Sequence, residues 1–125
     1  MKDRAPDERF PKSKRLLNAG DYSRVFENAQ AKASHKYLLF LATQNVGPGH
    51  RLGLVIAKKS VRRAVQRNRI KRIAREFFRT LPASEPAMDV VLLARSGIDQ
   101  LDNAELSSIL LRQWQKLCQL IPKPE

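Results

Sequence analysis

Basic residues are concentrated in one short segment, and their chemistry is that of phosphate binding. Ten of the twenty-two residues from 58 to 79 are Lys or Arg, and only Glu76 is acidic. This segment therefore carries most of the formal net charge of +12. A purely structural helix would interleave carboxylates, because like charges at helical spacing repel. The segment predicts a surface that binds a polyanion, nucleic acid first of all.

The second half of this segment is amphipathic. Its apolar residues recur at helical spacing from Ile70 to Phe78, which predicts a helix over 65–79 with one face packed. Ser60 is a plausible N-cap, although Val61 falls out of phase with the apolar face, so the pattern leaves the first turn open. The planar guanidinium of arginine suits bidentate phosphate contact, and such a helix is expected to follow the backbone of a folded RNA. The expected phosphate contacts are Arg67, Arg69, Lys71, Arg72 and Arg75.

Groups that could cleave a phosphodiester bond are not brought together by the sequence. A metal-free nuclease needs an acid and a base within reach of one phosphate, and His35 and His50 are the two histidines. In a hairpin turning near residue 47 they would lie more than about 30 Å apart. The carboxylates stand mainly at helix starts or alone, and no glycine-rich phosphate loop is present. The sequence predicts binding, with no catalytic residue and no metal site on this chain.

Aromatic residues form a second candidate surface. Tyr22 and Phe26 lie one turn apart on a predicted helix, and Phe40 lies on a predicted strand, with Lys58 and Lys59 following the next strand. Aromatic rings stack on unpaired bases, and single-strand grooves combine them with cations. The pattern alone favours core packing for these rings. Tyr37 and Trp114 are interpreted as packing residues.

The predicted elements form a small α+β domain. Asn18 is the predicted N-cap of a helix over 19–29. A second predicted helix begins at Asp102, where Glu105 completes a capping box, and it ends before Pro122. Three apolar runs predict strands, of which the first two should pair as an antiparallel hairpin and the third should lie centrally. The strands are 36–43, 51–57 and 88–94. The fold class is a small, mostly antiparallel sheet with helices in the order α-β-β-α-β-α, with a mobile arm at 1–9 and one domain at 10–122.

Composition excludes several classes of protein. A chain of 125 residues with 42% apolar residues can form one core. No stretch reaches the roughly 18 apolar residues of a membrane span, and nine of the first fifteen residues are charged, which leaves no room for a signal peptide. We therefore expect a cytoplasmic protein. Cys118 is the single cysteine, so a disulfide or zinc framework is excluded.

The signature of a known family becomes visible around the basic helix. The segment from Arg67 to Arg72 (RNRIKR), preceded by residues 53–59 (GLVIAKK) and 61–64 (VRRA), closely resembles the bacterial ribonuclease P protein subunit. The likeness extends to Phe10-Pro11 near the start and to residues 101–103 (LDN) before the last helix. It covers roughly residues 10–120.

This resemblance implies a function. In that family a small protein binds a large catalytic RNA, expected here in a 1:1 complex, and the particle removes the 5′ leader of precursor tRNA by Mg²⁺-dependent hydrolysis. The active site and the Mg²⁺ are expected on the RNA. The helix with the Arg-Asn-Arg motif lies against the RNA subunit, which would give that role to Arg67, Asn68, Arg69, Lys71, Arg72 and Arg75. A cleft beside the first helix receives the single-stranded leader, with candidate residues Tyr22, Phe26, Phe40, Lys58, Lys59 and Arg95.

The resemblance also implies a fourth strand and a left-handed βαβ crossover, which the usual handedness rule would not predict. DNA and membranes are not expected partners. One alternative is a general RNA-binding or ribosome-associated module without a processing role. Another, a basic amphipathic helix on anionic membranes, fits poorly because its apolar face is needed to cover the sheet.

Overall fold

The fold is known from a computed structural model that describes residues 15, 16, 18–45, 49–81 and 87–121. The predicted α+β class and element order are confirmed, with one further strand, β1. The predicted arm at 1–9 lies outside the described residues. The elements are α1 (Ala19–Asn28), β1 (Ala31–Ser34), β2 (Leu38–Gln44), β3 (Arg51–Val55), α2 (Ala64–Arg79), β4 (Met88–Ala94), a 3₁₀ turn (Ile98–Gln100) and α3 (Asn103–Leu120).

The four strands form one mixed sheet in the order β1-β2-β4-β3. β1 pairs antiparallel with β2, β2 antiparallel with β4, and β3 parallel with β4. The hairpin predicted between the first two apolar runs, which are β2 and β3, is therefore wrong, because β4 lies between them. The central position predicted for β4 is confirmed. β3, α2 and β4 form a βαβ unit that connects two neighbouring parallel strands.

Each face of the sheet has its own core. The larger cluster lies between one face and helices α2 and α3, and it includes Phe40, Ile70, Phe78, Leu110 and Trp114. The smaller cluster lies under α1 on the opposite face. Because neighbouring side chains of a strand point to opposite faces, α1 and α2 are separated by the sheet. The two surfaces expected to meet RNA thus lie on different sides of the molecule.

The helix starts follow local capping rules in two of three cases. The side chain of Asn18 accepts a hydrogen bond from the backbone N–H of Asp21 at the start of α1. Asp102 and Glu105 form the predicted capping box at the start of α3. Ser60 is not an N-cap, since α2 begins at Ala64 and no side chain caps it.

Candidate nucleic-acid interface

The outward face of α2 carries two exposed arginines, Arg72 and Arg75, and the exposed Arg62 and Arg63 precede the helix. The helix packs through Ile70, Ala74 and Phe78, which are buried against the sheet and α3. Val61, which lies before the helix, is fully buried, so the out-of-phase residue belongs to the preceding loop. The side chains on the outward face are Val65, Asn68, Arg72, Arg75 and Glu76. Three of the six predicted RNA-subunit contacts, Asn68, Arg72 and Arg75, lie there, and Lys71 is half-buried beside them.

The side chain of Arg69 is turned inward, toward the protein. Its Nε donates to Gln66, its Nη1 donates to Oδ1 of Asn103 at 2.7 Å, and its Nη2 donates to the carbonyls of Asp99 and Leu101 at 3.2 and 3.0 Å. A guanidinium has five N–H donors in a fixed fork, so most of its capacity is used here. We therefore correct the phosphate-binding assignment of Arg69. It positions α2 against the start of α3.

Arg67 also contacts the protein, although less completely. Its Nη1 donates to the carbonyls of Val61 and Arg62, at 3.0 and 2.8 Å. These carbonyls belong to the loop that enters α2, so the Arg67 side chain holds the loop where no side chain caps the helix. If Arg67 contacts a phosphate as predicted, it does so through the N–H groups of Nε and Nη2.

An ion pair lies at the C-terminal end of α2. Nη2 of Arg79 donates to the carboxylate of Glu76, three residues before it. The hydrogen bond from Arg79 and the negative charge of Glu76 raise the pKa of Arg79 above its ordinary value, against a small opposing effect of burial. Arg79 is therefore charged at every physiological pH.

A groove runs beside α1 on the other face of the sheet. Val55, Leu93 and Leu39 are partners in one row across β3, β4 and β2, and all three are half-buried. The neighbouring row, which includes Val91 and Leu41, is buried beneath Val25 of α1. The helix thus covers one row and leaves the next as an apolar floor open to solvent.

Two aromatic side chains of α1 lie on the side of this floor. Arg24 contacts Asp89 at the start of β4, which fixes the opposite side of the helix. At 100° per residue, Tyr22 and Phe26 then project toward the floor. Phe26 is 45% exposed although it is a large apolar residue. The helix therefore offers an accessible ring beside an apolar floor.

Gly53 allows the Tyr22 ring to lie against the sheet. A Cβ atom at position 53 would come within 2.7 Å of Cε2 of Tyr22 and 3.0 Å of Cδ1 of Leu16. A glycine within a strand often marks such a close approach. The glycine of the GLVIAKK segment thus sets how closely the Tyr22 ring approaches the sheet.

Cations stand at one end of the groove floor. Lys58 and Lys59 follow β3 and are exposed. Arg95 follows β4, the parallel neighbour of β3, so all three residues lie beyond the carboxyl ends of these strands, at one edge of the sheet. Nη1 of Arg95 donates to the hydroxyl of Ser34 and the carbonyl of His35, at 3.2 and 2.7 Å. Five of the six predicted leader-cleft residues thus border the groove.

Phe40, the sixth, does not belong to the groove. Its side chain is 1% exposed and points to the opposite face of the sheet, where its ring contacts Trp114 edge-on with centroids 6.1 Å apart. The prediction that Phe40 lines the leader cleft is wrong, because neighbouring residues of a strand point to opposite faces of the sheet. Leu39 takes the position on the groove floor. The packing roles predicted for Trp114 and Tyr37 agree with their places in the larger core.

One charged cluster was missed by the sequence analysis. Asp89 is fully buried in β4, where Nε and Nη2 of Arg51 donate to its two carboxylate oxygens at 2.8 and 2.7 Å. Arg24 of α1 and Nδ2 of Asn45 also donate to this carboxylate. An acid inside an apolar run was the available signal, because a buried carboxylate needs cationic or hydrogen-bonding partners. The cluster fixes α1 to the sheet and so sets the groove.

Comparison with known families matches the sequence of this chain to one of them. The family model described as Ribonuclease P matches residues 10–118, which is most of the chain. The chain belongs to the ribonuclease P protein family. Its members are the protein components of ribonuclease P, a tRNA-processing endoribonuclease that contains RNA.

Relatives of this ribonuclease P protein are similar over nearly their whole length. The ribonuclease P protein component of Chromohalobacter salexigens is 50% identical over 111 residues, covering 89% of this chain and 87% of the relative. That of Proteus mirabilis is 45% identical over 114 residues, covering 91% and 95%. The solved ribonuclease P protein of Thermotoga maritima has a TM-score of 0.69 at 25% identity, covering 82% and 96%.

The ribonuclease P protein keeps its two histidines apart. Nδ1 of His50 accepts from the backbone N–H of Met88, beside one end of β2, while His35 precedes the other end. At about 3.3 Å per residue, the seven-residue strand separates them by roughly 20 Å. The predicted hairpin between β2 and β3 does not form, but the two histidines still lie far apart. Within the described ranges, no group of three or more His, Cys, Asp or Glu residues could hold a metal ion, and no helix is long and apolar enough to cross a membrane.

Proposed function

We propose that this chain binds the ribonuclease P RNA through the outward face of α2 and the 5′ leader of precursor tRNA through the groove beside α1. The observation that carries the proposal is the placement of a basic face and an aromatic groove on opposite sides of one sheet. A protein with two such surfaces can hold a catalytic RNA and a substrate strand at the same time. Bond breaking and the Mg²⁺ it requires are assigned to the RNA, in a cytoplasmic 1:1 complex.

The basic surface makes a quantitative prediction for RNA binding. The basic residues of this surface are six, of which four are exposed and two are half-buried: Arg62, Arg63, Arg72 and Arg75, with Arg67 and Lys71. If each neutralises one phosphate, log K for the RNA subunit should fall with log salt with a slope of roughly −4 to −5, at about 0.7 to 0.9 per contact. Filter binding between 50 and 400 mM KCl, roughly the range in which such slopes are measured, gives the value. A slope near zero would rule out this surface as an RNA interface.

The groove makes a separate prediction for the substrate. Phe26→Ala removes an exposed ring, and stacking of one base contributes about 1–3 kcal/mol. The assembled particle should therefore bind precursor tRNA at least about fivefold more weakly, while its affinity for mature tRNA is unchanged. Both affinities are measured in Ca²⁺, to prevent cleavage. Phe40→Leu is not a suitable probe, because that ring lies in the core.

The comparison of the two tRNAs also tests the alternative function. A general RNA-binding module would show the same salt slope, but it would not prefer a substrate with a leader. Equal loss of affinity for both tRNAs on Phe26→Ala would contradict the leader assignment. An unchanged affinity for both would do the same.

A further inference from the structure

A second cleft, outside the groove beside α1, opens between α2 and α3. It has a volume of about 520 Å³ and adjoins the outward basic face. Ile73 and Phe77 of α2 are half-buried at this cleft, and Asn103 and Ser107 line it from α3, one turn apart. Sites for small ligands have volumes of about 300–1,000 Å³. The cleft is therefore large enough for one nucleotide.

Glu76 lines the same cleft and is the single acid of α2. An acid weakens a surface that binds phosphates. Nε and Nη2 of Arg79 donate to the two oxygens of Glu76, but each oxygen has a second lone pair. The pair is also exposed, with Glu76 51% accessible, and exposed pairs contribute little stability. A carboxylate does have a use in RNA recognition, because it accepts hydrogen bonds from the N–H groups of a base edge.

We propose that this cleft receives one unpaired guanine of the RNA subunit, with the Glu76 carboxylate accepting from N1–H and N2–H of its Watson–Crick edge. The inference rests on the proposed function, since it names a contact of the RNA-binding face. Guanine is the base whose Watson–Crick edge presents two adjacent N–H donors, which match the two oxygens of a carboxylate. Unpaired bases are typically recognised at this edge while a ring or apolar side chain contacts their face.

The other side chains of the cleft complement this base. Oδ1 of Asn103 accepts from Arg69, so the NH₂ group of Asn103 is the donor that can contact O6 or N7 of guanine. Ile73 and Phe77 supply the apolar contact for the face of the base. Arg72, on the exposed rim, can contact the phosphate. One side chain of the cleft thus matches each chemical part of a guanine nucleotide.

The decisive variant is Glu76→Gln, because two accounts predict opposite signs. An amide accepts with one oxygen only, so the proposal predicts a Kd for ribonuclease P RNA about tenfold higher, within the 1–3 kcal/mol of a bidentate base contact. General electrostatics predicts tighter binding, since a negative charge is lost near a polyanion. Glu27→Gln on α1 is the matched control, expected to leave the Kd unchanged or slightly lower. An E76Q protein that binds as tightly as the native protein, or more tightly, would overturn the proposal.

Filling the cleft gives a test that does not alter charge. Ser107→Trp places a large side chain where Ser107 lines the cleft, whereas Ser108→Trp places the same side chain on α3 outside the lining. The first substitution should raise the Kd for the RNA about tenfold with an unchanged salt slope, and the second should not. Equal affinities of the two variants would contradict the proposal.

Chemical probing of the RNA identifies the base directly. Kethoxal reacts with N1 and N2 of unpaired guanine, so one guanine should be protected by the native protein and reactive again with E76Q. If no guanine shows this pattern while the native protein still activates cleavage, the cleft assignment fails and the proposed function stands. If the native protein neither binds nor activates the RNA, the proposed function itself fails.

Discussion

Asp89→Ala is expected to lower the free energy of unfolding by about 3 kcal/mol, at the low end of the cost of breaking a buried ion pair. The carboxylate is fully buried and accepts hydrogen bonds from Arg24, Asn45 and Arg51. Its loss leaves the guanidinium groups of Arg24 and Arg51 without this carboxylate, although Asp21 remains 3.7 Å from Arg51. Both arginine side chains are partly exposed, at 39% and 31%, so water compensates for part of the loss.

Urea unfolding of the free protein, followed by circular dichroism, measures this effect. Asp21→Ala is the matched control, because Asp21 lies 3.7 Å from the same Arg51 but is itself partly exposed. It should cost less than about 1 kcal/mol. Equal stability of the two variants would show that the buried cluster does not anchor α1.

The second large effect separates the two roles of arginine on α2. Arg69→Ala should cost about 2 kcal/mol of stability, because the carbonyls of Asp99 and Leu101 and the amide of Asn103 lose a charged donor. The salt slope of RNA binding should stay as in the native protein. Arg69→Lys should restore only part of the stability, since one ammonium group cannot reproduce the fork.

Arg72→Ala is the counterpart, expected to leave stability unchanged within about 0.5 kcal/mol and to reduce the magnitude of the salt slope by about one. Arg72 is exposed on the outward face of α2. Unfolding curves and salt titrations of both variants supply the data. If Arg69→Ala reduced the salt slope of RNA binding and left the free energy of unfolding unchanged, Arg69 would be a phosphate contact, as the sequence predicted.

Local patterns were sufficient for most of the helices. Apolar spacing identified the packed face of α2, and the spacing of Asp102 and Glu105 identified the start of α3, because both depend on residues within one or two turns. Ser60 failed as an N-cap because the chain before α2 is instead held by Arg67, a contact that the local pattern does not reveal.

Strand pairing required information that lies far apart in the chain. The runs that became β2 and β3 are neighbours in sequence, which favoured a hairpin, but β4 inserts between them from more than thirty residues later. β1 was missed because its four residues, Ala31–Ser34, have little β-propensity and depend on pairing with β2.

The residue types of the site could be predicted from the sequence, but the directions in which their side chains point could not. Tyr22 and Phe26 were identified as aromatic, and the family resemblance suggested the cleft, yet Phe40 faces the other core because alternation along the strand assigns Leu39 to the groove. The guanidinium of Arg69 suits a phosphate or a set of carbonyls equally well, so only the position of the 3₁₀ turn decides between them.

The central claim is that this chain activates a catalytic RNA without supplying the catalytic groups. The most direct test is cleavage of a 5′-extended precursor tRNA at low Mg²⁺ by protein alone, by a bacterial ribonuclease P RNA alone, by both together and by neither. We predict cleavage at the mature 5′ end only when both are present. Cleavage by the protein alone would contradict the account, and so would a failure of the protein to stimulate the RNA at any Mg²⁺ concentration.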